Sequence, residues 1–363
     1  MTYVFWQNII SIHQSAFLKA LAEKSKVILV VEHELSNVRK TSGWKVPDIG
    51  DVELHIAPSE NKIKGLLEKN KLAYHLFSGL HAYGLPTKAL QFGVELNCSN
   101  LAIVTESFKT SGIKGLLRRI KYLGLSLKYK TKIKAIFVTG LPARRCFENL
   151  FFDSRIIFDW GYFTESINED NFENEKLNLP NLLFVGSLDD RKNILPFLPI
   201  ILRHNSNFNK FYIVGSGPLK FDLLQQISEK TSVEYIEVLE NTEIQKLMLE
   251  CDLLLLPSIF DGWGAVVNEA LGNGMRVLCS SSCGASILLD YENRGGVFHI
   301  DDEDFESHLV KWLKKGRLSE LERKSISDWS KNHISGSVAA SYFNNCIDFL
   351  NNNAQHKPKA PWL

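Results

Sequence analysis

The chain has little of what would tie it to export, a membrane span or a metal. Its 363 residues contain six cysteines, Cys98, Cys146, Cys251, Cys279, Cys283 and Cys346, with no C-x-x-C pair among them. Cys279 and Cys283 stand four apart, but no histidine or second pair completes a zinc set, so no structural metal is expected. Scattered thiols suit a reducing cytoplasm. No basic stretch followed by an apolar segment opens the chain, which argues against export. No uninterrupted apolar run approaches the ~18 residues that a spanning helix needs. Net charge is nearly absent too, at +1, but the total conceals a split. Residues 1–150 hold 22 Lys and Arg against 11 Asp and Glu; residues 151–363 hold the remaining 20 against 30, giving +11 and −10. The two halves are therefore expected to face different surroundings.

What is present is a globular composition, 45% hydrophobic and 23% charged, on a length that suits two domains. Short apolar runs alternate with helical periodicity. In the first half strands are expected at 3–5, 27–31, 73–77, 101–105, 135–138 and 155–158, with helices at 15–24, 87–92 and 143–151. In the second half strands are expected at 182–185, 211–214, 233–238, 252–256, 276–279 and 296–300. Helices are expected at 219–229, at 243–250 and from Ala265, with two more from about residue 303. Pro196 and Pro199 make any helix after Lys192 irregular. Alternating β and α elements with four- or five-residue apolar strands predict an α/β fold of parallel, doubly wound sheets. The expected division is a Rossmann-like domain over 1–165, an acidic, Asn-rich linker over 166–180 and a second Rossmann-like domain over 181–335. A C-terminal helix and tail over 336–363 would pack back on the first domain.

The most informative stretch is Asp261-Gly-Trp-Gly-Ala-Val-Val-Asn-Glu-Ala-Leu-Gly-Asn-Gly274, following the apolar run 253–256 and Pro257-Ser258. It reads as a buried strand, a glycine turn and a helix beginning near Ala265. Open α/β sheets bind ligands at the carboxyl mouth of their strands, and the free N–H groups of a new helix suit phosphate. Asp261 and Glu269 would then flank a site able to hold the hydroxyls of a sugar and a ribose. Two further strand–glycine turns lie upstream, Val185-Gly-Ser-Leu-Asp-Asp-Arg-Lys192 and Val214-Gly-Ser-Gly-Pro218. The second is not G-x-G-x-x-G, which lowers a nicotinamide-dehydrogenase reading; alone it reads equally as a plain tight turn. Arg191 and Lys192 alone would read as a solvated pair. At a sheet mouth they read as counter-charges for a diphosphate.

Taken in order, these four motifs resemble the GT-B glycosyltransferases, specifically the retaining enzymes of glycosyltransferase family 4, the group 1 glycosyl transferases. The resemblance covers most of 181–320; over 1–160 it rests on strand–helix order. It implies two Rossmann-like domains facing across a cleft, with transfer of a sugar from a nucleotide diphosphate donor, retention of configuration, and no cofactor or metal beyond that donor. Carried onto this chain, Glu269 would bind the ribose hydroxyls, and the backbone of Gly264, Ala265 and Val266 the phosphates. Lys192 and Arg191 would be counter-charges, and Asp261 would touch the transferred sugar. Gly186, Ser187, Gly215, Gly217, Pro218, Gly262 and Trp263 would complete the donor pocket. The family commonly has Glu where Asp261 stands and often Arg where Ser187 stands; Arg191 is positioned in sequence to compensate. A GT-B-fold epimerase and a catalytically silent GT-B subunit are the alternatives.

The acceptor would bind the first half, where motifs are weaker. No glycine turn follows the first strand, but His13 stands there as a donor or acceptor contact. His75 and His81 flank another strand end, either of them readable as a satisfied core histidine. Glu106 ends the strand at 101–105, near where relatives often place a histidine, which makes it a candidate for the catalytic region. Between Glu106 and Glu148 lie eleven Lys and Arg and no acid. On a helical wheel Ile113, Leu116, Leu117, Ile120, Leu123 and Leu127 share one face, opposite Lys114, Arg118, Lys121 and Lys128. Such a helix within 109–134 suits an anionic membrane surface or an ordinary packed helix with a solvated face. No RNA-binding motif accompanies it, so no nucleic-acid partner is expected. The membrane reading fits a cytoplasmic, peripheral enzyme acting on a lipid-linked saccharide or glycan acceptor. Asp301 to Asp304 contain an Asp-x-Asp triplet that reads as a helix cap rather than a metal site.

Overall fold

A computed structural model describes residues 1–36, 39, 44–108, 112–165, 179–228, 230–290, 292–300 and 305–363. Most of the expected linker and the Asp301–Asp304 run lie outside these residues. The first half folds as β1 (Thr2–Ile9), α1 (Ile12–Ala22), β2 (Lys26–His33), β3 (Glu53–Ile56), α2 (Glu60–Lys69), β4 (Tyr74–Ser78) and α3 (Gly84–Glu95), continuing as β5 (Asn100–Thr105), α4 (Gly112–Tyr129), β6 (Ile133–Thr139), α5 (Gly140–Glu148) and β7 (Ile157–Trp160). Its strands form one parallel sheet, ordered β3-β2-β1-β4-β5-β6-β7. β3 and α2 are additions to the sequence reading. β3 is an edge strand with mostly exposed residues, so it lacks the apolar run that marks a central parallel strand.

The second half comprises β8 (Leu182–Val185), α6 (Ile194–Arg203), β9 (Phe211–Val214), α7 (Lys220–Ile227), β10 (Val233–Ile236), α8 (Asn241–Glu250) and β11 (Leu253–Leu256), followed by α9 (Val266–Gly272), β12 (Arg276–Ser280), β13 (Gly295–Phe298), α10 (Phe305–Lys314), α11 (Glu320–Ile334) and α12 (Gly336–Leu350). Its parallel sheet is ordered β10-β9-β8-β11-β12-β13. α6 is helical despite its two prolines. Pro196 falls in the first turn, where its missing N–H has no intrahelical acceptor to lose, and Pro199 forfeits one bond.

Side chains alternate across each sheet as the pleat requires. In β1, Tyr3 and Phe5 enter one apolar cluster while Val4 and Trp6 enter another. The cluster holding Tyr3 and Phe5 continues through Trp160, Phe163 and Trp263 into the second domain. α12 returns to the first domain and lies along α1, so closely that a Cβ at Gly336 would stand 2.3 Å from the Ala16 carbonyl oxygen. Phe343 meets Tyr3, Phe17 and Trp160 edge-on, and Trp362 packs on Phe163.

At the far end of the second sheet a buried ion pair ties α11 to β11. Asp252 and Arg323 are each 1% exposed, and Arg323 Nη2 donates to Asp252 Oδ1 at 2.9 Å. The backbone N–H groups of Asn181 and Leu318 donate to the same carboxylate at 2.8 and 2.9 Å. Removing one member of such a pair costs far more than the pair contributes, because its partner stays buried. Asp252→Ala is therefore expected to lower unfolding free energy by about 3–5 kcal/mol in a urea titration; a loss under about 1 kcal/mol would show that Asn181, Leu318 and Arg323 find other partners.

Candidate active site

The carboxyl ends of both sheets open onto one cleft of about 900 Å³, a volume typical of small-ligand sites. Each sheet contributes there at its topological switch point, β1/β4 in the first and β8/β11 in the second. Residues after β1, β4, β5 and β6 line one wall, and residues after β8, β9, β10 and β11 the other.

The turn after β8 is shaped by Asp189. Its Oδ1 accepts from the Lys192 N–H at 2.9 Å and its Oδ2 from Ser187 Oγ at 2.7 Å. Lys192 is thereby turned inward, 9% exposed, and its Nζ donates to Asp261 Oδ2 at 2.6 Å. Arg191 Nη1 stands 3.6 Å from the same oxygen, and Arg191 Nη2 donates to Ser187 Oγ at 3.3 Å. The Arg191 guanidinium thus reaches the Ser187 position, as its place in the sequence led one to expect. Gly215 closes the turn after β9 with φ 143°. A Cβ there would lie 1.9 Å from the Gly186 carbonyl oxygen, so no other residue lets the two turns meet.

After β11 the chain passes Asp261 and turns at Gly264, φ 91°, into α9. Gly264, Ala265 and Val266 line the cleft together with Glu269. Glu269 is 7% exposed, and its Oε1 accepts from Asn241 Nδ2 at 3.3 Å. Asn241 is held in turn by Gln245 at 2.8 Å. Burial raises the Glu269 carboxyl to about 7, against the pull of the Asn241 bond.

The first domain supplies His13, Arg39, Trp44 and Glu106. His13 is stacked on Tyr162 with ring centres 5.2 Å apart and met edge-on by Trp44 at 5.0 Å. Burial and the cations Arg39 and Lys192 lower its pKa to about 3, so its imidazole is neutral at physiological pH. Among the described residues its Nδ1 has no hydrogen-bond partner. Arg39 lies over the Trp44 ring at 4.3 Å. Glu106 lies against Gly262, where a Cβ would meet its Oε2 at 2.3 Å. Burial and the neighbouring Asp261 raise the Glu106 carboxyl to about 7, opposed by Arg39 and Arg191. Four acids, Glu106, Glu237, Asp261 and Glu269, and a neutral histidine thus share the cleft with the cations Arg39, Arg191 and Lys192.

Four residues expected in the donor pocket lie outside the cleft lining. Trp263 is buried between the domains, its Nε1 donating to Asn268 Oδ1 at 2.7 Å. Gly262 backs Glu106. Gly217 packs on the Leu188 carbonyl, where a Cβ would stand 2.3 Å away, and Pro218 is exposed; the chain has by then turned back to start α7. Gly186, Ser187, Gly215, Arg191 and Lys192 do line the cleft. His75 is a core residue, accepting from Trp6 Nε1 at 3.2 Å and bonded to the Asn70 carbonyl at 3.0 Å. His81 is exposed. Arg39, Trp44 and Asn241 were not legible in the sequence, since none stands in a motif and only the topology gathers them; Asp189 stands in the motif after β8, but its part in shaping that turn was missed.

Residues 179–315 match the family model described as glycosyl transferases group 1. A lipopolysaccharide glucosyltransferase of Escherichia coli is 28% identical over 182 residues, 46% of this chain and 44% of that one. An alpha-1,4-N-acetyl-D-galactosaminyltransferase of Campylobacter jejuni, whose name gives an undecaprenol-diphosphate-linked acceptor, is 28% identical over 204 residues, 54% of this chain and 53% of that one. The chain spans about half or less of the length of the curated relatives it matches. The crystal structure of Anabaena HepE with UDP superposes with a TM-score of 0.67 at 11% identity, covering 96% of this chain and 100% of that one. The fold is therefore GT-B. Its second domain carries the group 1 glycosyl transferase pattern, as the motifs implied.

Between pH 4.5 and 7 the folded chain holds a proton on Glu269 that the unfolded chain has released, so stability falls as pH rises through that window. Glu269→Gln removes this term. Relative to wild type the variant is expected to gain up to about 3 kcal/mol between pH 4.5 and 7, at about 1.4 kcal/mol per pH unit, in urea titrations across pH. A difference that stays constant with pH would show that burial does not hold the proton.

Proposed function

We propose that the chain is a glycosyltransferase of surface-glycan biosynthesis, moving a hexose from a nucleotide diphosphate sugar to a lipid-linked or polysaccharide acceptor with retention of configuration. The observation that carries this reading is the cluster of Lys192, Arg191, Asp261 and Glu269 around one turn at the mouth of the second sheet. In this reading Glu269 accepts the two ribose hydroxyls. Lys192 and Arg191 exchange the Asp261 carboxylate for donor diphosphate, supplying the positive charge that other transferases take from a metal. The backbone of the turn from Gly264 to Val266 faces the phosphates, and Asp261, released, meets the sugar hydroxyls. The acceptor hydroxyl attacks from the face the diphosphate leaves, and a diphosphate oxygen takes its proton. The protein's contribution is charge stabilisation and positioning. His13, being neutral, serves as a hydrogen-bonding group and not as an acid, while Glu106 stands nearest the side from which an acceptor arrives.

The outward face of α4 supports a membrane-surface site of action. Ile113, Leu116, Leu117, Ile120 and Leu127 are 57–82% exposed, and an apolar patch of this kind marks an interaction surface. Lys114, Lys121 and Lys128 flank it, all exposed, as an anionic bilayer requires. Among the described residues no helix is long and apolar enough to cross a membrane. This face favours a transferase with a lipid-borne acceptor over an epimerase, which has no use for it.

Calorimetry with UDP, GDP and ADP, without added metal, tests the donor site. One of the three is expected to bind in the micromolar range, at least ~10-fold more weakly to Glu269→Ala, a loss near 1.4 kcal/mol. No binding, or equal binding by the variant, would overturn the assignment. In co-sedimentation, vesicles containing anionic lipid are expected to carry the wild type down in a salt-sensitive manner. They should leave the Ile113→Glu, Leu117→Glu double variant in solution; equal recovery of both proteins would remove α4 as the membrane face.

A further inference from the structure

A second hollow, of about 930 Å³, lies beside the cleft, between α4 and α5 of the first domain and the loops after β11 and β12 of the second. Its walls are apolar, formed by Ile120, Leu123, Phe151 and Phe260 among others, and no carboxylate lines it. Two cations do, Arg119 and Arg145. Both are exposed, and among the described residues neither pairs with a carboxylate. Phe151 stands at the rim with φ 61° and 71% of its surface exposed. Its left-handed backbone closes the C-terminus of α5, with its N–H bonded to the Glu148 carbonyl, and leaves the ring at the surface rather than in the core.

The hollow is continuous with two surfaces already described. Ser107 and Phe108 line both it and the cleft, directly after Glu106. Ile120 belongs both to its wall and to the outward apolar face of α4. The hollow thus adjoins the cleft at Ser107 and Phe108 and the outward face of α4 at Ile120.

We propose that this groove binds the acceptor as a lipid diphosphate, with the isoprenoid-type chain against Ile120, Leu123, Phe151 and Phe260, the diphosphate on Arg119 and Arg145, and the attached sugar passing Phe108 towards Glu106. The assignment rests on the transferase reading above and narrows its acceptor from a lipid-linked or polysaccharide glycan to one carried on a single-chain lipid diphosphate. An apolar wall without carboxylates excludes water from a hydrocarbon and repels no anion. Guanidinium groups suit phosphate oxygens because their planar donors match them two at a time.

Geranylgeranyl diphosphate serves as a soluble probe with the full chain. Binding by calorimetry is expected for the wild type, at least ~10-fold weaker for the Arg119→Ala, Arg145→Ala double variant, and unchanged for Ile113→Glu, Leu117→Glu. Nucleotide affinity should be the same in all three, which also shows that the variants are folded. Equal binding of the probe by the double arginine variant would overturn the proposal. So would equal binding of geranylgeraniol, of inorganic diphosphate or of a short-chain phosphatidylglycerol, or displacement of the probe by the nucleotide. Nucleotide binding without probe binding removes the groove and leaves the transferase reading standing. Probe binding without nucleotide binding does the reverse.

Discussion

The cleft depends on one seam, where the indole of Trp263 is clamped between the domains. The first domain accommodates it at Gly161, where a Cβ would lie 2.8 Å from the ring. Trp263 Nε1 bonds Asn268, and Asn268 Nδ2 donates to the Tyr162 carbonyl at 2.8 Å. Asn268 directly precedes Glu269, so the helix carrying the ribose candidate is tied to the first domain. Tyr162 in turn stacks on His13. One buried hydrogen-bonded chain thus fixes groups from both walls, and such bonds are costly to leave unmade. The same seam is glycine-lined elsewhere: a Cβ at Gly140 would stand 2.8 Å from the Cα of Gly284.

Within that frame the charges constrain one another. Lys192 and Arg191 converge on Asp261, while Glu106 and Glu269 are buried enough to hold protons near neutrality. Ionising every acid in the cleft together would set Glu106 against Asp261. Lys192 and Arg191 temper that conflict by neutralising the Asp261 carboxylate. In the donor reading proposed above, Lys192–Asp261 is the contact that a bound diphosphate would exchange.

The second domain was legible because its central parallel strands are largely buried on both faces. Its central strands β8, β9 and β11 are four-residue apolar runs ended by glycine or proline, and they match the expected runs to within a residue. Asp261, Glu269 and Lys192 were legible for a related reason: their motifs attach them to strand ends, and strand ends define the cleft. Trp263 misled because its motif gives its place in the chain but not the side of the turn it takes. Arg39 and Asn241 carry no local signal. The helical wheel revealed α4 as amphipathic, but periodicity alone does not distinguish a face packed on a core from one turned outward.

The return of α12 to the first domain bears on how the chain is made. Phe17 and Trp160 on the first domain remain uncovered until Tyr342, Phe343 and Trp362 have been synthesised. The first domain is begun first but finished last, with the whole second domain translated in between. Its apolar face stays open throughout elongation, exposed to chaperones and to other nascent chains. The apolar core of residues 1–165 is thus completed by residues 336–363, and a change in that segment acts on the first domain.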